Sequence, residues 1–207
     1  MFDVADNLAA IPGLVHGFTD RRGGVSVGRY ASFNMASKWG DDAASVLRNR
    51  ERLAAAAGFD LAALRTVRQV HGVVVVDAAT GVDGVEADGL WCRRGDALVL
   101  GVLTADCVPV LLADRDGRVA AAVHSGWRGA AGDIVGVAVA RLVAAGVRVD
   151  ALEAAIGPCI EQAAFEVGPE VAQRFDAAFV DASGARPHVD LVGVVRAQLL
   201  RAGVAET

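Results

Sequence analysis

With 207 residues and 54% apolar content, the chain can form one large domain or two small ones around a real core. Its apolar runs end well short of the ~20 residues of a membrane span, and no secretory pattern opens it, so a cytoplasmic protein without a membrane partner is expected. A net charge of −5 and the lack of a basic block argue against nucleic-acid binding, and the one lysine, Lys38, sits in no P-loop or Schiff-base motif.

Residues 14–19 (LVHGFT) read as a strand. The glycine-rich loop DRRGGVSVGRY follows, with Arg21 and Arg22 at its start. Such loops can hold an anion against backbone amides, although most are plain turns. A helix is predicted over 42–58, with Asp41 as N-cap and Gly58 as its stop. Its apolar stripe runs Val46, Leu47, Leu53, Ala54 and Ala57, and Arg50 falls inside it. A charge there either snorkels to the helix edge or faces a pocket as an anion site, since the planar guanidinium suits phosphate. Residues 65–77 are rich in β-branched side chains and strand-like. The continuous apolar run 97–104 (ALVLGVLT) predicts a central strand. Runs 108–113 and 118–124 flank Asp116-Gly117, a hairpin signal. A helix over 129–145, a strand over 151–157 and helices in GPEVAQRFDAAF and DLVGVVRAQLLRAG complete the chain. Hairpins interleaved with helices predict an α+β fold with a mixed sheet.

The three cysteines are widely spaced and odd in number, which reads as reduced thiols rather than a disulfide framework. His71, Cys107 and His124 each adjoin a predicted strand end. Two imidazoles and a thiolate can bind Zn²⁺ and leave a fourth position open. Their separations of 36 and 17 residues match no compact zinc finger, so spacing alone favours two turn histidines and a buried thiol over a metal site. Asp106, beside Cys107, either orients a ligand or is a turn acid. In GWRG, Gly126 and Gly129 permit a bend or a close approach. Trp127 reads as core, and Arg128 as a surface charge or a substrate contact. Cys159 reads as a buried free thiol.

Taken in order, NRERL, RQVHG, LTADCVPVLL, AAVHSGWRGA, AIGPCI and AAFEVGPEV closely resemble the YfiH family. That family is also called multicopper polyphenol oxidase, peptidoglycan editing factor and purine nucleoside phosphorylase. The resemblance runs from about residue 17 to about 203. It implies one YfiH-type domain over 1–207, a layered mixed-sheet α/β sandwich shared with toxin-like cysteine hydrolases. It also implies zinc, with copper as an alternative, on His71, Cys107 and His124. Asn34 and Arg50 match positions near the family's pocket, and Arg21 matches the arginine of its F-S-T-R-x-G-G element. Ser125 stands where the family usually has alanine. Members usually continue past AGV into a Cys-Thr element and an aromatic-Ser-Tyr-Arg-Arg segment, whereas this chain ends at AGVAET.

The resemblance implies phosphorolysis of adenosine, inosine and 5′-methylthioadenosine, with adenosine deamination besides. His71, Cys107, His124 and Asp106 are then the catalytic candidates. Arg50, Asn34, Arg21 and Arg128 are the candidates for substrate or phosphate, and a monomer is expected. The zinc-deaminase signature H-x-E with P-C-x-x-C is missing, so deamination requires a differently built site. A multicopper oxidase centre takes roughly ten histidine ligands, and the chain has four histidines. A Cys107 hydrolase with His124 or His71 as base is a further reading, in competition with the metal for one sulfur. A purely structural zinc domain is the last.

Overall fold

The computed structural model describes residues 2–205. In chain order it contains β1 (Phe2–Asp3), α1 (Asp6–Ala9), β2 (Phe18–Thr19), α2 (Ala43–Ala57), β3 (Leu64–Arg65), β4 (Val75–Asp77) and β5 (Gly89–Arg93). Then follow β6 (Val99–Leu100), β7 (Val108–Asp114), β8 (Val119–Ser125), α3 (Trp127–Ala131), α4 (Ile134–Ala144) and β9 (Leu152–Ile156). The chain finishes with α5 (Pro169–Ala172), β10 (Val180–Asp181), β11 (His188–Val189) and α6 (Leu191–Arg201).

The hairpin at Asp116-Gly117 forms the middle of the main sheet. Gly117 takes φ 65°, the left-handed region where glycine is favoured. The buried Asp114 closes the turn: its Oδ1 accepts from Arg118 N at 2.6 Å and Val119 N at 3.0 Å, and its Oδ2 from Arg118 Nε at 2.8 Å. Five strands align in the order β4-β5-β8-β7-β9. Only β4 and β5 run parallel; the other pairs are antiparallel, so the sheet is mixed.

Strand alternation divides β8 between two faces. Val119, Ala121 and Val123 pack with Val110, Leu112, Leu152 and Ala154 against Ile134, Val135, Ala138 and Leu142 of α4 and Val195 and Leu199 of α6. Burial of each large side chain here is worth roughly 1.5–3 kcal/mol. The opposite face carries Ala120, Ala122 and His124. It is covered at one end by Leu8 and Ile11. At the other it is covered by Ala78 and Val82, with Leu98, Leu100 and Val102 against them.

Several expectations are corrected. Of 14–19 only Phe18–Thr19 is a strand, paired with β1. Residues 65–77 do not form one strand; a loop carrying His71 separates β3 from β4. The apolar run 97–104 is not central: only β6 forms, beside β3, and residues 98–104 line a cavity. The sequence reading passed over β5, which lies inside the sheet. The helix over 129–145 breaks at Gly132, and Asp133 at φ 60° starts α4 by accepting from Gly136 N. In GPEVAQRFDAAF only α5 and a 3₁₀ turn at Ala177–Phe179 form.

Helix α2 matches its prediction except at the cap and at Leu47. Asp42, not Asp41, accepts from Ser45 N at 2.9 Å. Asp41 instead accepts from Asn34 Nδ2 and Asp42 N. Gly58 ends the helix at φ 73°. The inward face is Val46, Asn49 and Ala54, whereas Leu47 is exposed.

Candidate metal centre

Antiparallel pairing places the start of β7 next to the end of β8, with Pro109 opposite His124. Cys107 directly precedes β7 and therefore meets His124 on the cavity face. His71 comes from the loop before β4 and adopts φ 61°, a strained value for a residue with a side chain. One nitrogen from each ring and the Cys107 sulfur lie within 4.8 Å of one another. The two imidazoles meet edge to face with centroids 4.8 Å apart. His71 is exposed, Cys107 half-buried and His124 buried.

The Gln69 side chain ties two of the loops together. Its Nε2 donates to Leu103 O and its Oε1 accepts from Leu103 N, both at 2.8 Å. Asp88 lies behind the histidines with 0% exposure. Its Oδ1 lies 2.8 Å from His124 Nδ1 and accepts from His71 N at 2.9 Å. Sequence reading passed over this residue, because Asp-Gly before an apolar run reads as a turn.

Burial pushes the His124 imidazole below its usual pKa, against the opposing pull of Asp88, and so favours the neutral ring that a metal requires. Burial pushes the Cys107 thiol up, and the charges of Asp106 and Asp88 add to this, so the thiolate calls for a cation. The glycine of the S-G-W-R turn leaves room for the cluster. A Cβ at Gly126 would lie 2.8 Å from His71 Cδ2, 3.1 Å from Cys107 Sγ and 3.7 Å from His124 Cε1. Two imidazoles, a sulfur and this clearance fit a metal ion with an open coordination position.

The cluster lines a cavity of about 930 Å³, together with Asp106, Asn34, Arg50, Arg21 and Lys38. Two arginines are largely engaged there. Arg50 donates Nε and Nη2 to Met35 O at 3.1 and 2.8 Å, and Arg21 donates the same pair of nitrogens to Ala31 O at 3.2 and 2.8 Å. The Asn34 side chain bonds within its own loop, to Ala36 O, Asp41 Oδ2 and Ala36 N. The buried Asn49 holds these loops from below, accepting from Val25 N and donating to Ser26 Oγ, Ser32 O and Asn34 O. Lys38 has no carboxylate partner among the described residues and lies 4.9 Å from the centre of the Trp39 ring at the cavity rim. Arg128 is not among the lining residues and stacks on the half-buried Trp127 at 4.2 Å. Cys159 is a free, half-buried thiol packed against the helix-side core.

The fold and the cluster together define an α+β protein whose mixed sheet presents two imidazoles and a thiol, a group that could hold a metal ion, to a large cavity. The family described as "Multi-copper polyphenol oxidoreductase laccase" matches residues 15–207. The chain is 43% identical to a purine nucleoside phosphorylase of Deinococcus radiodurans, across 98% of this chain and 79% of that one. It is 39% identical to adenosine deaminase RL5 of an unknown prokaryotic organism, across 92% of this chain and 79% of that one. The crystal structure of YlmD from Geobacillus stearothermophilus matches with a TM-score of 0.86 and 30% identity, covering 95% of this chain and 79% of that one. The chain belongs to this laccase-domain family, the YfiH family.

Proposed function

We propose that the protein is a zinc-dependent purine nucleoside phosphorylase for adenosine, inosine and 5′-methylthioadenosine, and that it also deaminates adenosine. The convergence of His71, Cys107 and His124 on a cavity of nucleoside-accommodating size carries this reading. The names of the relatives supply the substrate class.

Bound zinc supplies electrophilic activation of water or of a substrate oxygen. His71 Nε2 or Nδ1, Cys107 Sγ and His124 Nε2 would hold it. Asp106, exposed beside the cluster, moves the proton. Arg50, through its remaining Nη1, with Arg21, Asn34 and Lys38, holds phosphate near the ribose. In phosphorolysis a phosphate oxygen bonds to C1′, the glycosidic C–N bond breaks, and the purine leaves with its electron pair and takes a proton. In deamination water adds at C6 and ammonia leaves. Arg128, stacked on Trp127, stays outside this scheme unless the α3 turn moves. The proposed setting is a cytoplasmic monomer working on free nucleosides. Among the described residues no helix is long and apolar enough to cross a membrane.

One observation favours a second reading. Asp88, His124 and Cys107 stand in the order of an acid–base–nucleophile relay, the arrangement of a Cys-His hydrolase of the peptidoglycan-editing kind. The raised thiol pKa of Cys107 weighs against it. Copper on the same three ligands is the alternative that fits the oxidase name.

The test is chromatographic. Purified protein with its metal quantified is incubated with adenosine, with and without phosphate. Adenine and ribose 1-phosphate are expected only with phosphate, and inosine in both. No product from folded, zinc-loaded protein rejects the nucleoside reading and turns the search to hydrolase substrates.

A further inference from the structure

We infer that Asp88 is the positioning residue of the metal cluster, a single buried carboxylate that sets two of its three ligands. The inference rests on the metal part of the proposed function and is independent of the nucleoside chemistry.

Four nitrogens converge on the carboxylate. Oδ1 takes His124 Nδ1 at 2.8 Å and His71 N at 2.9 Å. Oδ2 takes Gly72 N at 2.6 Å and Val70 N at 3.3 Å. Both oxygens therefore face backbone N–H donors, and Oδ1 also has the His124 ring beside it. The residue itself is fixed by backbone pairing: Asp88 N donates to Val74 O at 2.9 Å, and Asp88 O accepts from His124 N at 2.7 Å.

Each oxygen has a separate consequence. The Nδ1–H···Oδ1 bond selects the His124 tautomer whose Nε2 lone pair is free for the cluster. The N–H groups of residues 70, 71 and 72 converge on the carboxylate as an anion nest. That nest stabilises the left-handed backbone at His71, and that backbone aims the ring.

Two measurements test the inference, with zinc alone as the probe. The first is ¹⁵N NMR of the histidine rings in metal-free wild-type protein. His124 is expected to be protonated at Nδ1 and unprotonated at Nε2; the opposite tautomer overturns the proposal without any variant having to fold. The second compares D88N with D114N. Asp114 is the other fully buried carboxylate among the described residues; it has three donor contacts and lies in the β7–β8 turn away from the cluster. A carboxamide has one acceptor oxygen, so D88N can satisfy either the His124 side or the Gly72 side but not both. Zinc affinity, read by competition with a chromophoric chelator, is expected to fall about 10–100-fold in D88N. In D114N it is expected to stay within about twofold of wild type, whatever happens to thermal stability. Equal losses in the two variants, or none in D88N, overturn the proposal. Failure of the nucleoside assay with this zinc pattern intact rejects the substrate reading alone.

Discussion

The two faces of the sheet are made from alternate residues of the same strands and behave as different materials. On the helix side, Val110, Leu112, Val123 and Leu152 fill the space against α4 and α6 and are essentially fully buried. On the other side the same strands offer Ala120, Ala122, Pro109 and His124, and two separate apolar clusters cover only the ends. Small side chains there leave the volume that becomes the cavity. One face holds the protein together, and the other leaves a site open at its middle. Stability and metal chemistry should therefore be separable by mutation.

Cys107→Ala gives the largest effect expected on the cavity side. It removes the ligand that carries charge, so zinc binding and nucleoside turnover are expected to vanish together, with the circular dichroism spectrum unchanged. Retained zinc with lost turnover would instead make Cys107 a nucleophile. Leu142→Ala gives the largest effect on the helix side. Leu142 is 0% exposed in the core. Its truncation is expected to cost about 2–5 kcal/mol in chemical denaturation, with zinc affinity preserved. A parallel loss of zinc affinity would show that the two faces are not independent.

Gly126→Ala sharpens the contrast. Gly126 has φ −74° and ψ 172°, which alanine adopts without strain. The added methyl meets His71 and Cys107 instead. Denaturation midpoints are expected to change little, while zinc affinity falls about tenfold. An unchanged affinity would mean that the cluster widens freely. Arg50→Ala acts further from the metal. It is expected to impair phosphorolysis more than deamination, as measured in parallel assays on adenosine. Equal loss in a folded protein would reject a phosphate-specific role and leave Arg50 as the support of the Met35 loop.

The helix face was largely legible because its signals are local. Asp-Gly marked the β7–β8 turn, and the apolar runs on either side of it marked the two strands that carry the inward residues. The cavity face was less so. The apolar run 97–104 looked like a central strand because hydrophobicity does not distinguish a strand from a segment that packs at one end and lines a cavity at the other. Strand β5, five residues long and buried on both faces up to Cys92, has no alternation to reveal it. The residues of the cluster were named by the family resemblance, since their spacing left two readings open. Asp88 and Asn49 had no signal at all, because their importance comes from backbone groups distant in sequence.

Ser125 is the one polar side chain that the alternation of β8 turns towards the helix core. It is 0% exposed, and its Oγ has no hydrogen-bond partner among the described residues. It follows His124 directly, so it lies next to a ligand in sequence while facing away from the cavity in space. A buried hydroxyl without a partner costs about 1–3 kcal/mol relative to a satisfied one. Ser125→Ala removes the oxygen and leaves the methyl carbon that already packs there. The expected result is a gain of about 1 kcal/mol in unfolding free energy, the smallest of these effects, with zinc affinity and turnover unchanged. A loss of zinc affinity instead would show that strain on the helix side reaches His124 through the strand, and the division between packing face and site face would then fail at the residue where they are closest.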